Sequence, residues 1–136
     1  MKKAIEEAQK GLLIDEVPIG AVLVDNSTHN IIASSYNTVN SKNNATNHAE
    51  MILINDSCEK LKKKFLKNTS IFVTLEPCLM CASAISEVQI DRIYFGAYDE
   101  KKGSLESVIK IYNKKNFFSP EVYGGIEENY CSLLLK

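Results

Sequence analysis

Ile71-Phe72-Val73-Thr74-Leu75-Glu76-Pro77-Cys78-Leu79-Met80-Cys81 is the stretch from which the fold can be read outward. Its first five residues have the β-branched and aromatic character of a strand. Pro77 suits the first turn of a helix, where its missing N–H costs nothing, and that helix is expected to reach about Val88. Arg92-Ile93-Tyr94-Phe95-Gly96 then reads as another strand. Strand, helix and strand between residues 70 and 96 make a βαβ unit, so the two strands are expected to be parallel.

Upstream, Met1, Ile5, Ala8 and Leu12 recur at helical spacing, so residues 4 to 14 read as an amphipathic helix. The run Ala21-Val22-Leu23-Val24 within Pro18 to Val24 reads as a strand buried on both faces. The turn cluster Asp25 to Asn30 leads into Ile31 to Tyr36, which completes a hairpin. Residues 37 to 47 are polar and rich in Asn, the composition of a functional loop. A helix is expected near His48, carrying Ala49, Ile52 and Leu53 inward, followed by a lysine-rich connection from Cys58 to Asn68. Downstream, residues 104 to 112 look weakly helical, Glu121-Val122-Tyr123 reads as a short strand, and a last helix is expected from Ile126 to Lys136.

A chain of 136 residues without repeats or linkers is expected to form one domain, residues 1–136. No apolar run approaches the roughly 20 residues of a membrane span, and acidic residues interrupt the start of the chain where a secretory signal would be apolar. A cytoplasmic protein without a membrane partner is expected. The net charge of −1 does not suit a general DNA or RNA coat, and no DNA partner is expected. An enzyme touching RNA around one site needs only a local patch. Lysines do cluster at Lys60 to Lys67, Lys101-Lys102 and Lys114-Lys115, although such runs are ordinarily solvated surface.

The four cysteines are Cys58, Cys78, Cys81 and Cys131. In a reducing compartment they do not read as a disulfide framework. Cys78 and Cys81, at i and i+3 on a helix start, turn both sulfurs to one side, and a helix N-terminus favours the thiolate that binds metal. His48, at the start of another helix, adds a nitrogen. One His and two Cys with an open fourth position match a catalytic zinc centre. Glu50, two residues after His48, is placed to take a proton from a water held there and deliver it to a ring nitrogen and a leaving amine. A Cys-x-x-Cys pair alone also fits a redox motif, but that motif does not bring a His-x-Glu helix with it. A structural zinc site wants a fourth ligand, which only Cys58 or Cys131 offers. Both read as bystanders, as does His29 in its turn.

These motifs are the zinc deaminase signature, His-x-Glu followed by Pro-Cys-x-x-Cys. The likeness extends to Glu16-Val17-Pro18-Ile19-Gly20-Ala21-Val22-Leu23-Val24, Tyr36-Asn37, Asn47-His48-Ala49-Glu50, Val73 to Cys81, and Arg92-Ile93-Tyr94-Phe95-Gly96-Ala97-Tyr98-Asp99. In order and over most of residues 4 to 131, the chain resembles bacterial tRNA-specific adenosine deaminases of the TadA type, within the cytidine/deoxycytidylate deaminase superfamily.

The resemblance implies a cytidine-deaminase-like three-layer α/β/α fold with a mixed five-stranded sheet. It implies one Zn2+ per chain on His48, Cys78 and Cys81, with Glu50 as proton shuttle. It also implies attack of water at C6 of the wobble adenosine in a tRNA anticodon stem-loop, releasing ammonia and leaving inosine. By motif position Asn37, backbone near Ala49, and Asp99 would bind the substrate, Lys101 and Lys102 would meet phosphates, and the protein would be a homodimer. The chain departs from the pattern at Asn47, where the family has a small residue; the change would either alter pocket packing alone or place a polar group beside the base and shift substrate preference. It departs again in the short loop Asp99-Glu100-Lys101-Lys102-Gly103-Ser104. A deaminase of free guanine, cytosine or cytidine would use the same four residues on the same fold. A zinc-binding partner subunit without activity typically lacks the shuttle carboxylate, which Glu50 supplies here.

Overall fold

The computed structural model describes residues 1–136. In chain order the elements are α1 (Lys2–Leu12), β1 (Gly20–Asp25), β2 (Ile31–Tyr36), α2 (Ala49–Leu61), β3 (Thr69–Leu75), α3 (Leu79–Glu87), β4 (Arg92–Ala97), β5 (Glu121–Tyr123) and α4 (Glu128–Leu134), with a 3-10 turn at Ile111–Asn113. The sheet order is β2-β1-β3-β4-β5. β1 is antiparallel to β2 and to β3, whereas β3, β4 and β5 run parallel. The hairpin and the βαβ unit therefore stand as the sequence predicts, and the sheet is mixed.

Helices cover both faces. Ala21 and Leu23 of β1, Ile71 and Val73 of β3, and Ile93 and Phe95 of β4 form one core with Leu53 and Ile54 of α2 and Ile85 of α3. Strand residues at alternate positions share a face, so the residues between these look the other way. There Gly20 lies directly under α1, and a Cβ on it would stand 2.0 Å from the Ala4 carbonyl oxygen and 2.5 Å from the Ala8 nitrogen. Gly96 plays the same part for α4, where a Cβ would meet the Cys131 sulfur at 2.3 Å. Glycine lets the α1 backbone approach the sheet directly at Gly20 and makes room for the Cys131 side chain of α4 at Gly96.

Of the face expected for α1, Ile5 and Ala8 are buried and Met1 packs beside Ile5, but Leu12 departs from it. The residues turned to the sheet are Ala4, Ile5, Ala8 and Gly11, together with Glu7, while Leu12 is 51% exposed. Ala4 and Ala8 stand over Gly20, where the backbone-to-backbone contact leaves no room for a larger side chain. The helix ends at Leu12, and Asp15 turns the chain with φ 60.

Helix α2 buries Ala49, Leu53, Ile54 and Ser57, while Ile52 is only half-buried. It continues to Leu61, into the expected connection, and stops where Lys62 enters the left-handed region at φ 54. In α3, Pro77 stands one residue ahead of the N-cap, Cys78. The last helix is shorter than expected, Glu128–Leu134.

Residues 104 to 110 form turns rather than a helix. The backbone N–H groups of Leu105, Glu106 and Ser107 donate to the side chain of Glu76. An amide engaged there contributes nothing to a helical ladder, so a long-range carboxylate overrides the local tendency.

Candidate active site

Parallel strand β3 ends at Leu75 and the chain passes through Glu76-Pro77 into α3, whose N-cap is Cys78. The N-cap of α2 is His48. Both caps have extended backbone, and neither side chain makes a capping hydrogen bond, so each is free to face the other. Cys81 follows one turn into α3, fully buried.

His48 Nδ1 lies 3.6 Å from Cys78 Sγ and 3.5 Å from Cys81 Sγ, and the three atoms are mutually within 4.8 Å. Zinc bonds of ~2.3 Å to sulfur and ~2.0–2.1 Å to nitrogen at a tetrahedral angle place N and S about 3.5 Å apart. The donor set therefore fits one zinc ion per chain. Cys58 packs against the main core and Cys131 against α1 and β4, so neither joins the group.

The Cys78 thiol is held down to about 5 by a hydrogen bond with Cys81 and by the neighbouring His48, although burial opposes this. The same exchange pushes Cys81 up. Glu50, on the first turn of α2, is 4% exposed and shares the cavity with His48 and Cys78. Burial pushes its carboxyl up to about 7, and the charge on Cys78 adds to the effect. A carboxyl that titrates near neutrality suits a group that must both accept and give a proton.

The cavity has a volume of about 560 Å³. Val17, Ile19, Val39 and Leu75 supply apolar wall, and Asn37 and Asp99 supply polar groups. Asn37 is buried, and its Oδ1 accepts the Ala49 N–H at 2.7 Å. The Ala49 carbonyl in turn accepts the Ser35 hydroxyl at 2.6 Å. The carboxamide of Asn37 is thereby oriented, and its Nδ2 makes no hydrogen bond within the chain. Asp99, Lys101 and Lys102 stand on the rim. Asp99 Oδ1 accepts the backbone N–H groups of both lysines at 3.0 and 3.2 Å.

Asn47 is not beside the catalytic cavity. Its Nδ2 donates to Thr38 Oγ1 at 3.3 Å, and it lines a separate polar hollow with Ile52 and Asp56. Consecutive residues entering α2 point in different directions, so His48 faces the sulfurs while Asn47 faces the loop.

Two carboxylates escaped the sequence reading as anything more than motif wording. Glu16 and Glu76 are almost fully buried, and both line the cavity. Glu16 accepts the N–H groups of Asn40 and Ser41 at 3.0 and 2.6 Å. Glu76 accepts those of Asp99, Leu105, Glu106 and Ser107 and the Ser107 hydroxyl. Burial alone would raise both carboxyls, but the donors outweigh it and hold both below the usual range. The one available signal was position: each is an acid at the edge of an apolar strand segment, beside a loop with amides to satisfy.

Residues 1–97 match the model of the cytidine and deoxycytidylate deaminase zinc-binding region. The chain belongs to this deaminase family. A tRNA-specific adenosine deaminase of Rickettsia bellii (strain RML369-C) is 44% identical, covering 100% of this chain and 94% of the relative. A solved structure from studies of A-to-I editing by tRNA:A34 deaminases at the wobble position of transfer RNA superposes with a TM-score of 0.95 at 41% identity. It covers 99% of this chain and 97% of the other. A guanine deaminase from Nitrosomonas europaea shares the fold with a TM-score of 0.81 but only 18% identity, covering 98% of this chain and 79% of the other. The mixed five-stranded sheet between helices is thus the deaminase fold expected from the sequence, and His48, Cys78 and Cys81 are positioned to bind the metal for which the family region is described.

Proposed function

We propose that this deaminase hydrolyses adenosine to inosine and ammonia at the wobble position of a tRNA anticodon. The observation that carries the reading is a likeness of 41–44% identity, running the length of the chain, to proteins described by that activity. The site geometry supports the chemistry independently: His48, Cys78 and Cys81 stand together as a metal-binding group, and His48, Cys78 and the buried Glu50 line one cavity. We read residues 1–136 as one deaminase domain working where tRNA is found, in the cytoplasm.

His48, Cys78 and Cys81 would hold the zinc, which when bound supplies a Lewis acid that lowers the pKa of a coordinated water toward ~7. Glu50 takes a proton from the attacking water and passes it to a ring nitrogen of adenine, then takes the second water proton from the new C6 hydroxyl and gives it to the departing amine. Water adds at C6, the C6–N bond breaks, and the products balance as inosine and ammonia. Asn37 Nδ2 donates to the base. Ala49 acts through its N–H, which fixes the Asn37 oxygen. Asp99 meets the nucleotide at the rim, and Lys101 and Lys102 meet phosphates. An anticodon loop is single-stranded, so its base enters the cavity at modest unstacking cost.

A homodimer is part of the same reading. Leu79, Val108 and Ile109 are exposed apolar side chains gathered beside Cys78 and Lys102, a face that a second copy would cover. Sedimentation should give a dimer mass, and Val108→Lys should shift it toward monomer.

Deamination of free guanine, cytosine or cytidine is the competing reading. The guanine deaminase likeness supports fold alone and does not favour it. Inosine formed in an anticodon stem-loop, with no ammonia from the free bases, decides for tRNA.

A further inference from the structure

Glu76 lines the catalytic cavity two residues ahead of Cys78, yet neither of its oxygens is free. Oε1 accepts the Asp99 N–H at 3.1 Å and the Ser107 hydroxyl. Oε2 accepts the N–H groups of Leu105, Glu106 and Ser107 at 3.1, 2.8 and 3.0 Å. A carboxylate has about four lone-pair sites, so these donors saturate it. Glu76 thus has no capacity left for a proton in transit.

All of the donors come from one segment, residues 99 to 107, which has no helical or strand ladder of its own. The segment carries Asp99, Lys101 and Lys102 on the rim. Its turn is closed by Gly103, whose N–H reaches the Asp99 carbonyl at 2.8 Å. Gly103 also runs against the carboxylate: a Cβ there would lie 2.4 Å from Glu76 Cδ and Oε1. The arrangement needs both the carboxylate at 76 and the missing side chain at 103.

We infer that Glu76 is a positioning residue for RNA recognition: by gathering these donors it sets where Asp99, Lys101 and Lys102 stand, and so how tightly the anticodon loop is held. The inference rests on the tRNA reading above. Glu50 and Glu76 are then two buried carboxylates in one cavity with separate tasks, one moving the proton and the other shaping the rim. Loss of an interaction that holds substrate and transition state equally raises KM and leaves kcat alone.

The test is steady-state deamination of an anticodon stem-loop hairpin by the zinc-loaded chain, with zinc content measured in each preparation. Glu76→Gln turns an amide N–H2 toward the loop amides, and Gly103→Ala attacks the same contact from the other side without touching the metal helix. Both variants should keep their zinc and raise KM by about tenfold, with kcat within about twofold. In an Asp99→Ala background, Glu76→Gln should add little, because both changes act through one rim. With wild type active on the hairpin, three results each overturn the positioning role: unchanged KM in both variants, zinc lost from both, or full additivity with Asp99→Ala. Absence of wild-type turnover on the hairpin overturns the substrate reading, and the rim role with it.

Discussion

At the scale of single residues, the proposed chemistry turns on Glu50. It lies beside His48 but outside the metal-binding group, and we propose that it carries the proton. Burial pushes its carboxyl up to about 7, which suits the proposed role of one side chain acting first as base and then as acid. Glu50→Ala should retain one zinc per chain by elemental analysis while kcat falls by ~10²–10⁴, the usual worth of general acid–base catalysis. Activity within about tenfold of wild type would reassign the shuttle. Asn37 divides cleanly into two functions, since its oxygen serves the protein and its nitrogen is free. Asn37→Asp keeps the acceptor for Ala49 N–H, so its melting temperature should stay near wild type while KM on the hairpin rises. Asn37→Ala leaves that buried N–H unpaired, at about 1–3 kcal/mol, and should lose stability as well as binding. Equal melting temperatures for the two variants would refute this division.

Individual elements depend on contacts that span long stretches of chain. Helix α1 is seated on β1 through Gly20, and Gly20→Ala should destabilise the fold by about 1–3 kcal/mol or more, as overpacking does; chemical denaturation reads this directly. The loop after Val39 depends on Glu16. Its carboxyl is held below the ordinary value of 4.5 by the Asn40 and Ser41 amides, against the effect of burial. A depressed folded-state pKa contributes stability above the unfolded value and loses it as pH falls through the folded one. The melting-temperature gap between wild type and Glu16→Gln should therefore be present at neutral pH and close in acid. A gap that is constant with pH would contradict the role.

These same contacts explain which elements could be read from sequence. The apolar runs 21–24 and 71–75 and the turn at Asp25 to Asn30 carry their own pattern, so the hairpin and the βαβ unit were legible. On α1, the burial of Ile5 and Ala8 was legible from their spacing, but the exposure of Leu12 was not, because the seat is set by Gly20, which lies outside the helix. The segment 104–110 has local helical character, but its amides are taken by Glu76, about thirty residues upstream.

The whole molecule brings together four chemically decisive residues from two helix starts. His48 and Glu50 come from one, Cys78 and Cys81 from the other, and the sheet places those starts at one cavity. Ligand spacing within a helix is a local property, which is why the metal centre was legible before any fold was known. Asn47 shows the limit of such reading: adjacency to His48 in sequence did not make it a neighbour of the substrate, because the side chain turns toward Thr38. The shape of the rim was equally hidden, since it depends on Glu76. The substrate therefore rests on the whole chain and not on the four residues alone, and it is the substrate that needs measuring. The most direct measurement is nucleoside analysis of a tRNA anticodon stem-loop after incubation with the zinc-loaded chain. The account predicts inosine in place of the wobble adenosine, with no ammonia released from guanine, cytosine or cytidine. An unmodified hairpin alongside ammonia from one of those free substrates would contradict it.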